Sequence, residues 1–183
     1  MPLATFRKRR DDETPPETPQ QPAAPPRAEG PHPDDVEALG RVLASEAGAH
    51  RYTHAERVAI GWAVRNRAAR YRSSVYALLA PLGREQRGSD PPMSTAQVAT
   101  AADYVTARDV LTAAKTSDPT HGAGAFFEPE VQTIAVERGR MYRSDPKRYA
   151  AFARFAKYHR TVEEIRASWG RMLARIGRFE FYR

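Results

Sequence analysis

Val36-Glu-Ala-Leu39-Gly-Arg-Val42-Leu43-Ala-Ser-Glu46-Ala-Gly48 is the stretch that decides the fold class. Val36, Leu39, Val42 and Leu43 recur at spacings of three and four, so they share one face of a helix that must pack against other elements. Glu46 lies four residues beyond Val42 and three beyond Leu43, which turns its carboxyl toward the same side. Gly48 supplies a helix stop. Two readings of Glu46 stay open on these residues alone. Burial and the negative end of the helix dipole both disfavour a carboxylate, which raises the pKa as a general acid requires. Alternatively, the stem packs while the head reaches solvent at a frayed helix end.

Outward from this segment the pattern stays mainly helical. Thr53-His-Ala-Glu56 is a capping box that opens a second helix, with Ala55, Ala59, Trp62, Asn66 and Ala69 along one face. A loop runs from Ala80-Pro81 through Gly83, Gly88 and Pro91-Pro92, and Ser94 or Thr95 is expected to cap a helix carrying Val98, Ala102 and Val105 toward Leu111. Asp118-Pro-Thr-His-Gly-Ala-Gly124 is a turn-rich loop, and Ala125-Phe-Phe-Glu128 before Pro129 reads as a short extended piece. A helix is expected after Ser144, with Tyr149, Phe152, Phe155 and Ala156 on its face. Another is opened by the capping box Thr161-Val-Glu-Glu164, carries Val162, Ile165, Trp169, Met172 and Leu173, and ends at Gly177. Arg178-Phe-Glu-Phe-Tyr-Arg183 alternates like a terminal strand. The expected fold is a helical α+β domain with a minor sheet over residues 36–183, preceded by a tail.

The tail is residues 1–35. Eight of the fifteen prolines fall between Pro15 and Pro33 among Glu, Thr, Gln and Ala, a composition too poor in large apolar residues to fold alone. Arg7-Lys-Arg-Arg10 is either a docking tag or a solvated end. The tail carries five basic and seven acidic residues, net −2, so the chain's net +7 places +9 on the remainder. A basic domain suits an anionic partner such as nucleic acid, teichoic acid or a carboxylate-bearing wall. Nothing in the sequence reads as a secretory signal or a membrane span of about 18 apolar residues. With no cysteine, thiolate and disulfide chemistry are excluded.

Glu46, His50 and His54 mimic metal-ligand spacing, but Gly48 and the capping box at Thr53 break the helix between them, so neither metal nor cofactor is expected. Asn66 shares the apolar face of Ala59 and Trp62. Its amide either ties helix ends together or lines a cleft beside Glu46. Phe126-Phe127 and Phe179, Phe181 and Tyr182 are core residues by default, and in a sugar-binding cleft they are the expected lining type.

Leu43-Ala-Ser-Glu46-Ala-Gly48, Val58-Ala-Ile-Gly-Trp-Ala-Val-Arg-Asn66-Arg67, Asp118-Pro-Thr-His-Gly-Ala-Gly-Ala-Phe-Phe-Glu-Pro129 and Ile176-Gly-Arg-Phe-Glu-Phe-Tyr182 together resemble, in this order, the SleB-type cell wall hydrolases. The resemblance covers residues 36–183 and implies a lysozyme-like peptidoglycan lytic enzyme, a glycosidase cutting between N-acetylmuramic acid and N-acetylglucosamine. It matches Glu46 to the catalytic glutamate, which implies a lytic transglycosylase with one carboxylate as general acid and base; a hydrolytic muramidase usually needs a second carboxylate. Motif position extends substrate-lining roles to Asn66, Gln86 and Phe127. The chain departs from the family pattern at His121, where glycine is usual, and matches it loosely over 81–117.

An enzyme without a signal would reach the periplasm or wall after cell lysis, or as cargo or a component of a phage tail or contractile injection system, with the Pro-rich tail as tether. The expectation from another class is a non-catalytic, peptidoglycan-binding or structural module on a degenerate lysozyme-like fold. Nucleic acid is a weaker expectation, because the sequence reads as carrying no regularly interleaved aromatic and basic motif for such binding.

Overall fold

The computed structural model describes residues 30–46, 52–79 and 98–183. Six α-helices and three strands are present among them: α1 (Pro33–Glu46), α2 (His54–Arg70), α3 (Val75–Leu79), α4 (Ala101–Thr112), β1 (Ala125–Phe127), α5 (Pro129–Ser144), α6 (Val162–Trp169), β2 (Met172–Ile176) and β3 (Phe179–Tyr182). The domain is mostly helical with one small antiparallel sheet, as the apolar periodicities predict. No described helix is long and apolar enough to cross a membrane.

α2 is the central helix. Ala59, Ile60, Trp62, Ala63 and Val64 are all buried, because α1, α3, α4, β1 and β2 surround it. On α1, Leu39, Val42 and Leu43 are fully buried, the row that the 3-4 spacing marks out. Asp34 and Asp35 sit in its first turn, where the helix dipole favours acid, so residues 33–35 belong to the helix and not to the tail. The capping box at Thr53 is present, with the Glu56 carboxylate accepting from the Thr53 backbone N–H at 2.7 Å.

Arginines of α2 fasten α4 at both ends. The Arg57 guanidinium meets the fully buried Asp103 carboxylate at 2.8 Å in the first turn, and Arg65 donates to the carbonyls of Val110 (2.6 Å) and Ala113 (2.8 Å) at the last. The cap of α4 is Thr100, paired with Asp103 in a second capping box, and not Ser94 or Thr95, which lie outside the described residues. The expected apolar face is also displaced. Val98 precedes the helix and Val105 is exposed, while Asp103, Thr106, Ala107 and Val110 face inward. The polar residues win these sites because each has a partner there: the Thr106 hydroxyl donates to the Ala102 carbonyl at 3.0 Å.

The sheet has strand order β1-β3-β2, with Phe126 opposite Phe181 and Arg175 opposite Glu180. β3 is the terminal strand the alternation predicts, yet all four of its residues are buried, because the sheet is covered on both sides. Phe126, Phe179 and Phe181 pack on the helical core. On the opposite face α6 covers Phe127, Glu180 and Tyr182 through Arg166 and Trp169.

Two helices differ from expectation, α6 in where it ends and α5 in that no helix is expected over Pro129–Ser144. α6 stops at Trp169, where Gly170 takes φ +77°, so Met172 and Leu173 belong to β2 and Gly177 turns the β2–β3 hairpin instead of ending a helix. Pro129 opens α5 instead of merely ending the strand before it. Proline suits the first helical turn, where its missing N–H has no partner to lose. Past Ser144 the chain forms a 3-10 helix (Ala150–Phe155) in place of the expected core-facing α-helix, and Tyr149, Phe152 and Phe155 are half-buried.

α5 buries only Ala135 and Gly139, and Gly139 is where the 3-10 segment crosses it. A Cβ there would overlap the carbonyl oxygens of Phe155 and Tyr158. Gly139→Ala is therefore expected to loosen residues 145–160 despite a helix-propensity gain of about 1 kcal/mol. Faster hydrogen exchange over that segment is the expected readout; slower exchange would show that the crossing is not tight.

Candidate active site

Glu46 is the last residue of α1 and is half-buried. It lies at the carbonyl end of the helix, with no basic residue in the final turn to offset the dipole. Residues 47–51, including Gly48 and His50, and Gln86 fall outside the described residues. Among the described residues no three His, Asp or Glu side chains converge as a metal site.

The Tyr52 hydroxyl donates to the Glu128 carboxylate at 2.6 Å. Glu128 is the N-terminal flanking residue of α5, is buried, and also lies 3.9 Å from the Arg178 guanidinium. Arg178 stands over the Tyr52 ring at 5.0 Å, and its backbone N–H donates to the Glu56 carboxylate at 2.9 Å. Glu56 itself is 2% exposed. Burial opposes its charge, but the N–H of Arg178, then the N–H and hydroxyl of Thr53, overcome that cost and hold its pKa below the usual carboxylate value. Residues far apart in sequence thus meet in one network.

Asn66 and Arg67 fasten the 118–124 loop. The Asn66 amide nitrogen donates to Asp118 (2.8 Å), Thr120 (3.3 Å) and the Ala123 carbonyl (3.0 Å), and Arg67 Nε donates to the Gly124 carbonyl at 2.6 Å. Asn66 therefore ties α2 to this loop and not one helix end to another. Asp118 closes the loop on itself by accepting from the Thr120 hydroxyl (2.6 Å) and the Gly122 N–H (2.8 Å). Burial opposes its charge too, but bonds from the Thr120 hydroxyl, Asn66 and the backbone hold its pKa low. His121 and Gly122 take φ +54° and +85°, consecutive left-handed residues that a glycine pair would adopt without strain.

Phe127 is half-buried on the outer face of β1, stacked on Tyr182 with centroids 5.8 Å apart and edge-on to Trp169 at 5.5 Å. Next to it, the buried Glu180 takes a two-pronged bond from Arg166, at 2.6 and 3.0 Å, and a third from the Tyr182 hydroxyl at 2.8 Å. The Arg166 bonds, together with the Tyr182 bond and against burial, hold its pKa below the ordinary value.

Tyr52, Glu128 and Arg178 carry no signal of this clustering in the sequence; only Phe-Glu-Pro, an acid immediately before a first-turn proline, hinted that Glu128 flanks a helix. Comparison of the chain with protein-family models, curated proteins and solved structures finds no match to any of them.

Proposed function

We propose that this chain cleaves the glycan strand of peptidoglycan between N-acetylmuramic acid and N-acetylglucosamine, as a lytic transglycosylase with Glu46 as its acid and base. The observation that carries the proposal is the placement of Glu46, half-buried at the C-terminal end of a helix whose inner row is fully buried. The motif segments behind the SleB-type resemblance add support, because two of them are in direct contact: Asn66-Arg67 grips the loop from Asp118 to Gly124.

In this mechanism the Glu46 carboxylic acid gives its proton to the glycosidic oxygen as the bond from muramic C1 breaks. The carboxylate then accepts the proton of the muramic C6 hydroxyl as that oxygen bonds to C1. The products are a 1,6-anhydromuramic end and a free N-acetylglucosamine 4-hydroxyl, and no water is consumed. One carboxylate suffices. The buried carboxylates of Glu56, Asp103, Glu128 and Glu180 each accept structural hydrogen bonds, which suits them to holding the fold.

Muropeptides released from purified sacculi, weighed by mass spectrometry, test the proposal. Anhydromuramic ends are expected. Reducing muramic ends would replace the transglycosylase with a muramidase and make Glu128 the first second carboxylate to substitute. No release from walls of several types would leave the wall-binding module as the better account.

A further inference from the structure

Residues 137–160 hold eight Lys/Arg and two Asp/Glu, net +6 in a chain whose total is +7. They form the second half of α5, the turn after it and the 3-10 helix, and α5 and the 3-10 helix pack mainly on each other. In a 3-10 helix residues three apart eclipse. Tyr149, Phe152, Phe155 and Tyr158 accordingly form a ladder with centroids 6.1, 6.3 and 6.2 Å apart. Cations stand on this ladder: Arg138 between Phe152 (5.5 Å) and Phe155 (5.2 Å), Arg154 over Phe155 (4.8 Å), Arg148 over Tyr149 (5.2 Å) and Lys157 over Tyr158 (5.4 Å). Arg143 and Arg160 bond to backbone carbonyls instead. Among the described residues, no carboxylate lies within salt-bridge distance of Arg138, Arg140, Lys147, Arg148, Arg154 or Lys157.

We propose that this basic-aromatic projection binds a base-free phosphodiester polymer of the teichoic acid class. Cation-π contacts hold long cationic side chains in place and so lower the ordering cost of a multipoint contact. The positive charges of these side chains match phosphate charge, and a string of them matches a repeating phosphate. A single-stranded nucleic acid would use the rings differently, stacking its bases on open ring faces. Here each ring already has neighbours on the ladder or a cation over it, so phosphate charge is what the surface can read. The surface does not depend on Glu46 chemistry, and a soluble polymer without muramic acid tests it separately.

The experiment titrates the full chain with poly(glycerol phosphate), with oligodeoxythymidylate of equal phosphate number and with phosphatidylglycerol vesicles, across a salt series. Two variants accompany it: Arg140, Arg148, Arg154 and Lys157 all changed to Gln, and the three arginines changed to Lys. The Gln variant is expected to lose at least about tenfold in affinity for the glycerol phosphate polymer and to show a shallower salt slope, by counterion release. The Lys variant should stay within about threefold of wild type, since charge is retained. Per phosphate, the base-free polymer should bind at least as tightly as the oligonucleotide or the vesicles. Tighter binding to the oligonucleotide would make this a nucleic-acid surface, and tighter binding to vesicles a membrane one. Unchanged affinity in the Gln variant, or an equal loss in both variants, would overturn a charge-reading surface altogether.

Discussion

Glu46→Gln is expected to lower muropeptide release by about 10²–10⁴-fold, the usual contribution of a positioned general acid-base group. Glutamine keeps the volume and polarity of the side chain but neither gives a proton to the glycosidic oxygen nor accepts one from the C6 hydroxyl. Glu46 sits at a helix end outside the fully buried row of Leu39, Val42 and Leu43, so the fold should tolerate the exchange. Far-UV circular dichroism and pull-down on sacculi should match wild type while release collapses. Release retained within about threefold would remove Glu46 from the chemistry and, with it, the basis of the proposed mechanism.

The second large effect is on stability. Glu56→Ala should destabilise the domain by about 3 kcal/mol, since hydrogen bonds to a buried charge contribute more than neutral ones and their donors would be left buried. The Glu56 carboxylate joins the start of α2 to the hairpin turn, accepting from Thr53 and from the N–H of Arg178, 122 residues away in sequence. For a domain of this size the midpoint of thermal unfolding should fall by about 6–12 °C. A fall below about 2 °C would mean that the turn is held by other contacts. Gly177→Ala attacks the same junction from the other side, because Gly177 takes φ +56° and a Cβ there would overlap the Glu56 carboxylate.

The junction also sets the response to acid. Glu56, Asp118 and Glu180 all have pKa values held below the ordinary 4.5 or 3.8, so their contribution is complete above those values and is lost as pH falls through the lowered ones. Denaturant unfolding should show constant stability contributions from these groups near neutral pH and a decline below about pH 4.5. Glu56→Gln should make that decline shallower. An equally steep decline would assign the acid response to other carboxylates.

Local chemistry made much of this architecture legible in the sequence. Leu39, Val42 and Leu43 share a face because helical geometry forces residues three and four apart together. Thr53 and Thr161 cap helices because a threonine hydroxyl three residues before an N–H can accept from it and a glutamate can answer. The same reasoning failed where a local signal had two meanings. Pro129 serves equally as a terminator or as a first-turn residue, and the ring spacing of 149, 152, 155 and 158 suits a 3-10 turn better than an α-helical face. The sequence by itself determined a mainly helical domain and singled out Glu46 at the end of its first helix. Only the tertiary structure decided that Glu128 meets Tyr52, that Glu56 holds Arg178, and that cations line an aromatic ladder. Those pairs lie on different elements or across a turn, and which elements meet is decided by packing the whole core, which no local window of the sequence contains.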